Sequence, residues 1–337
     1  MLYVTTRHAD DAYTAYRALT NETGPDGGGF VPFRLPVLTK EELLRLKDKT
    51  CNQTAAEILN IFFSLRLNGW DLDLVAGKGT VRFVPMNHRI IIAELWHNLN
   101  GRLSYVEGVL RKKLAEEAKA DTAAEWSKIA VRIAVFFAIY GQLLRDNFVN
   151  IDEQIDFSVN NDDFVSPMAI WYCRKMGLPV NMIVCTCDES NNLWDFIHRG
   201  TMSTAGISKQ LQVCLERLLH ATLGCDAAVL FGEACAKNRA YSVPEEKLPV
   251  LNNGLFCSVA GRDRAQSVIN SLYRSNSYMI DSSAALCYGG LQDYRAKTGA
   301  SGLTVMLAES SPLNHLEEIT AATGLDASVI KNYMNQP

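Results

Sequence analysis

The turn Asn160-Asn161-Asp162-Asp163 places two adjacent carboxylates after a short apolar run, Ile155, Phe157 and Val159. Paired carboxylates suit general acid/base catalysis. Standing just ahead of a helical segment, the same side chains also suit a helix N-cap, where an oxygen takes an orphan backbone N–H. Cys185, Cys187 and His198 are soft and borderline metal ligands. A structural zinc site wants four ligands at a recognisable spacing, so no metal is expected. No serine stands in a G-x-S-x-G frame, and no Cys/His pair has a readable nucleophile context. Walker A and G-x-G-x-x-G phosphate loops are also missing from the sequence.

The elements that would position the turn are legible. Phe164, Met168, Trp171, Tyr172 and Met176 recur at helical spacing, and Gly177 with Pro179 stops them. A second apolar run, Met182-Ile183-Val184-Cys185, follows. Strand, helix, strand within about thirty residues reads as a parallel βαβ crossover. In such sheets ligands gather at the carboxyl ends of the strands, which is where residues 160–163 fall. Upstream, Thr39 with Glu42 has capping-box spacing, and Ile90–Leu95 reads as a strand. Leu211, Leu215, Leu218 and Leu219 share one helical face. Downstream the pattern alternates between strands at 255–259 and 303–307 and helices that start at Arg262 and Ser282.

With 337 residues, 48% apolar and 21% charged, the chain has an ordinary globular composition. A net charge of −4 without a long basic run points away from nucleic acid. Nine scattered cysteines with no signal peptide ahead of them predict reduced thiols and a cytoplasmic protein. The apolar run Ile129–Leu144 contains Arg132 and is short for a bilayer, so it predicts a buried core helix.

These segments resemble the threonine synthase family, pyridoxal-phosphate enzymes of the tryptophan-synthase-β fold type. Tyr3-Val4-Thr5-Thr6-Arg7 is similar to the family's YxSTR start, and Asp26–Pro32 to its DGGLYVP. Glu94-Leu95-Trp96-His97 follows its ELFH, and Lys175-Met176-Gly177-Leu178-Pro179 its KMGLP. Trp126–Ala130 resembles the start of its INWARILAQ helix, and 188–200 and 213–219 continue the likeness.

The family's cofactor positions are changed. Ser104 stands where the resemblance places the lysine that forms the imine, and a hydroxyl cannot form a Schiff base. Lys112 and Lys113 lie roughly 12 Å further along a helix, too far to deputise. The glycine-rich phosphate cup, VPTGNFG, keeps Val159 and Phe164, but its two glycines read Asp162 and Val165. The threonine that would bond the pyridine nitrogen reads Ala284, within Ile280–Cys287. No SGDTG-like substrate loop occurs, and between residues 115 and 150 the chain is shorter than the resemblance requires.

The resulting expectation is an α/β fold, a parallel-type sheet wrapped by helices. It resembles the large domain of fold type II enzymes with most of the second lobe missing. Residues 1–95 would form an N-terminal segment, 96–125 a remnant of the cofactor-covering lobe and 126–337 the main domain. A degenerate site is expected at Glu94, His97, Ser104, Asp162, Asp163, Phe164, Val165 and Ala284. No cofactor is expected there, and the function is binding of a protein or small molecule. The alternative is a lyase that uses pyridoxal phosphate on O-phosphohomoserine in threonine biosynthesis. A homo-oligomer or a protein partner is expected across the shortened lobe, near residues 98–125, with neither nucleic acid nor membrane as a partner. A cofactor-free reaction has no sequence motif behind it.

Overall fold

The computed structural model describes residues 1–72, 80–87, 89–96, 103–119, 125–160, 163–187 and 192–334, with only the backbone for 103–107 and 109. The chain opens with a small antiparallel sheet of β1 (Leu2–Thr5), β2 (Tyr13–Thr14) and β3 (Phe30–Pro32), interrupted by α1 (Ala15–Thr20). Two capped helices follow, α2 (Lys40–Arg45) and α3 (Cys51–Phe63). Thr39 with Glu42 and Thr50 with Gln53 each form a complete capping box, which satisfies two otherwise orphan donors per helix.

The hairpin β4 (Arg82–Met86) and β5 (Ile90–Glu94) leads to α4 (Leu103–Ala118) and α5 (Glu125–Arg145). The predicted crossover is present as β6 (Ile155–Asn160), α6 (Val165–Lys175) and β7 (Val180–Cys187). Next come α7 (Leu193–Arg199), β8 (Thr201–Ser203), α8 (Lys209–Leu223), α9 (Cys225–Ala236) and β9 (Ala240–Ser242), with β8 and β9 paired as a separate ribbon. The chain ends with α10 (Leu248–Leu251), β10 (Leu255–Val259), α11 (Arg262–Asn276), α12 (Ser282–Thr298), β11 (Leu303–Ala308), α13 (Leu316–Thr323) and α14 (Ala327–Met334).

The main sheet runs β10-β7-β6-β11-β5-β4, parallel throughout except for the β4 edge. Every residue of β5 and β11 is buried, as expected where helices cover both faces of a parallel sheet. Successive side chains divide between the faces. Ile91, Ala93, Phe157 and Val305 join the core built on α5 and α6, whereas Ile92 and Met306 join the one built on α11 and α12.

Helix α5 is the centre of the first core, with Trp126, Ile129, Ile133, Phe136, Phe137 and Tyr140 fully buried. It extends beyond the apolar run at both ends and is long enough to cross a membrane, so burial rather than length identifies it as a core helix. Because β4 and β5 belong to the main sheet, that sheet is not confined to residues 126–337.

Candidate functional site

The crossover brings its turn to the carboxyl end of the sheet, and helix α6 starts there in an unusual way. Its N-cap residue is Phe164 rather than an aspartate, with φ 59° and ψ 12°. This left-handed conformation is uncommon for a bulky side chain and is held by burial, Phe164 being 1% exposed. The Asp163 carboxylate accepts the first helical N–H, from Val165, at 3.0 Å. The capping job expected of the aspartates is thus performed by Asp163 from one position further back. Val165 is itself buried and fills the space beside that amide.

Asn160, at the end of β6, donates its side-chain amide to Ser283 Oγ and so ties the turn to the start of α12. Asp281 caps α12, accepting from Ser283 N at 2.9 Å and Ala284 N at 3.1 Å. Its second oxygen is buried with no partner among the described residues. Burial pushes the Asp281 carboxyl up to about 6. Ala284 is buried in the first turn of the same helix.

From α5, Arg132 reaches the end of β11. Its guanidinium pairs with Glu309 and also donates to Ser166 Oγ at 2.6 Å, in the first turn of α6. Beyond Glu309, Ser310 Oγ lies 3.0 Å from His315 Nε2. His315 Nδ1 is 3.5 Å from Glu318 Oε2, which also accepts a bond from Ser282 Oγ.

Glu94 ends β5, 3% exposed, and accepts from the Tyr278 hydroxyl at 2.8 Å, with Arg82 at 3.5 Å. Burial, with Glu94 beside it, raises the Tyr278 phenol well above its usual value. Glu94 lines a cavity of about 360 Å³ with Arg82, Met86, Tyr278 and Tyr333.

Of the residues expected to form the degenerate site, Asp163, Phe164 and Val165 form the turn, and the Asn160–Ser283 bond joins it to Ala284's helix. Glu94 keeps separate company in its own cavity. His97 and Asp162 lie outside the described residues, and Ser104 is described only as backbone in α4. Arg132, Tyr278, Glu309, Ser310, His315 and Glu318 were not singled out as site residues by the sequence. Only Arg132 carried a signal, as a charge inside an apolar run.

Cys185 and Cys187 are both buried on β7, and Cys187 Sγ lies 3.7 Å from Cys257 Sγ. Among the described residues no His/Cys/Asp/Glu group could hold a metal.

The described residues do not fit a pyridoxal-phosphate site. The Asp163 carboxylate already takes the helix amide that a phosphate would use. Ala284 offers no side-chain hydrogen bond for a ring nitrogen.

A family model described as "Threonine synthase N terminus" matches residues 2–77. Threonine synthase-like 1 from Pongo abelii is 20% identical over 174 residues, 48% of this chain and 23% of the relative. The match therefore spans about a quarter of that relative's length. The pyridoxal-phosphate-bound threonine synthase from Brucella melitensis superposes with a TM-score of 0.79 at 16% identity, covering 100% of this chain and 95% of that one. Yeast threonine synthase gives 0.76 at 14% identity, covering 95% and 89%. The chain is thus similar to threonine synthases in its N-terminal segment and shares the fold of the two solved ones.

Proposed function

We propose that this threonine synthase-like chain does not carry out the pyridoxal-phosphate reaction and acts by binding a small molecule or a protein partner. The observation that carries this reading is the Asp163 carboxylate on the first amide of α6. A phosphate charge about 4 Å from a carboxylate is repelled by roughly 4 kcal/mol at an effective dielectric near 20, about a thousandfold in binding. Ser104 at the imine position and Ala284 at the ring-nitrogen position support the same reading from the sequence. For a protein partner, or a second copy of the chain, we favour the α4 region, where the sequence is shortest against the family.

The test is an absorbance scan of the chain incubated with pyridoxal phosphate, followed by borohydride reduction and peptide mass spectrometry. No imine band and no reduced adduct are expected. A reducible adduct on a lysine lining the cleft overturns the reading in favour of a threonine synthase-related lyase acting on O-phosphohomoserine. For the partner, light scattering is expected to show association, and a monodisperse monomer that recovers no partner from extract counts against it.

A further inference from the structure

His315 stands between a hydroxyl and a carboxylate, and the local chain path explains why. Strand β11 delivers Ser310 to the carboxyl end of the sheet, and Ser311 caps a tight turn, Pro312–His315, accepting from Leu313 N at 3.3 Å. The turn brings His315 back onto Ser310, with Nε2 3.0 Å from Oγ. Helix α13 then starts, and its first turn places Glu318 Oε2 3.5 Å from His315 Nδ1. Ser282 donates to that same carboxylate oxygen from the start of α12, which fixes the acid from a second element. Asn314 Nδ2 lies 3.4 Å from Ser310 Oγ, a side-chain donor beside the hydroxyl.

A nucleophile bonded to a base, with the base oriented by an acid, is the geometric signature of an activated serine, independent of fold and of order in the chain. With its proton on Nδ1, the side that faces Glu318 Oε2 at 3.5 Å, the imidazole accepts from Ser310 through Nε2. We propose that Ser310, His315 and Glu318 form a nucleophile relay that takes the acyl group of a small carboxylic ester.

In the first step Ser310 Oγ bonds to the carbonyl carbon while its proton passes to His315 Nε2. As the C–O bond to the leaving alcohol breaks, His315 returns that proton to the leaving oxygen. Water then attacks the acyl-serine, losing a proton to His315, and the acid departs as Ser310 regains its hydrogen. Glu309 is neutralised by Arg132, and the Glu318 and Asp281 carboxyls near His315 disfavour negatively charged esters, so neutral acyl groups are the substrate class. Ser310 and His315 are the catalytic residues, and Glu318 is a positioning residue. None of the three belongs to the degenerate cofactor set, so their failure would leave the binding proposal standing.

The test treats the full chain, without pyridoxal phosphate, with a fluorophosphonate probe and with p-nitrophenyl acetate. One phosphonyl group per chain on Ser310 is expected by peptide mass spectrometry, with a p-nitrophenolate burst. Ser310→Ala and His315→Ala, each checked for unchanged melting, should slow both reactions by about a hundredfold. Glu318→Gln should slow labelling, and Glu318→Asp should restore part of the rate, a rescue by the conservative change that loss of packing would not produce. Absence of labelling, labelling at another residue, or an unchanged rate in His315→Ala overturns the proposal.

Discussion

Arg132 and Glu309 form a two-pronged pair across the carboxyl end of the main sheet, Nη1 2.6 Å from Oε1 and Nη2 3.3 Å from Oε2. The pair fastens the core helix α5 to the end of β11. Removing only the acid takes the Glu309 carboxylate away from a guanidinium that is 12% exposed and also donates to Ser166. Glu309→Ala is expected to cost about 2 kcal/mol, the low side for a broken buried pair because Glu309 reaches solvent. The double change Arg132→Met with Glu309→Leu should recover most of that loss. Urea midpoints of the three variants check both statements.

Phe164 sets two effects against each other. Replacing it with glycine relieves a left-handed conformation that costs about 1 kcal/mol or somewhat more. It also empties a fully buried aromatic site, which costs about 3–5 kcal/mol. Packing should win, so Phe164→Gly is expected to lose a few kcal/mol in chemical denaturation despite the easier backbone.

Asp281 predicts a pH dependence. Its folded carboxyl lies near 6, above the ordinary aspartate value, because burial disfavours the charged form. Between the two values the folded state holds more protons than the unfolded state, so stability falls as pH rises through that window. A shift of this size corresponds to about 3 kcal/mol lost by neutral pH and absent below about pH 4. Denaturation of the parent and of Asp281→Asn from pH 4 to 7.5 should show the parent gaining on the variant as pH falls.

Asp163→Ala should act on stability and on anion binding in opposite directions. The variant loses the carboxylate on the Val165 amide, worth about 1 kcal/mol at a helix start. With that charge gone, millimolar inorganic phosphate should raise the melting temperature of the variant and leave the parent unchanged. Equal responses in the two proteins would show that the aspartate does not exclude the anion.

The crossover was readable because its physics is local. Val159, Phe164 and Lys175–Pro179 signal strand, helix and stop through spacing and turn chemistry alone. Thr39 with Glu42 was readable for the same reason, as a contact spanning one helical turn. Helix α5 was only half readable. Its apolar content signalled burial, but its length does not separate a core helix from a spanning one. The partners of Arg132, Glu94 and Asn160 were not readable, because Glu309, Tyr278 and Ser283 reach them only through the sheet order. Ser310, His315 and Glu318 are close in sequence, yet they meet only because a tight turn reverses the chain between a strand and a helix. No hydrophobic period encodes such a turn.

The place of β11 has a consequence for biosynthesis. It pairs with β5 on one side and β6 on the other, so the interior seam of the sheet is filled by one of its last-made strands. Until residues 303–308 leave the ribosome, β5 and β6 each carry an unpaired edge next to apolar side chains, a template for wrong pairing. Contacts this far apart in sequence also make closure slow. A nascent chain of this protein must therefore be shielded until β11 has been made, and a chain stopped ahead of Leu303 would be left as two half-sheets.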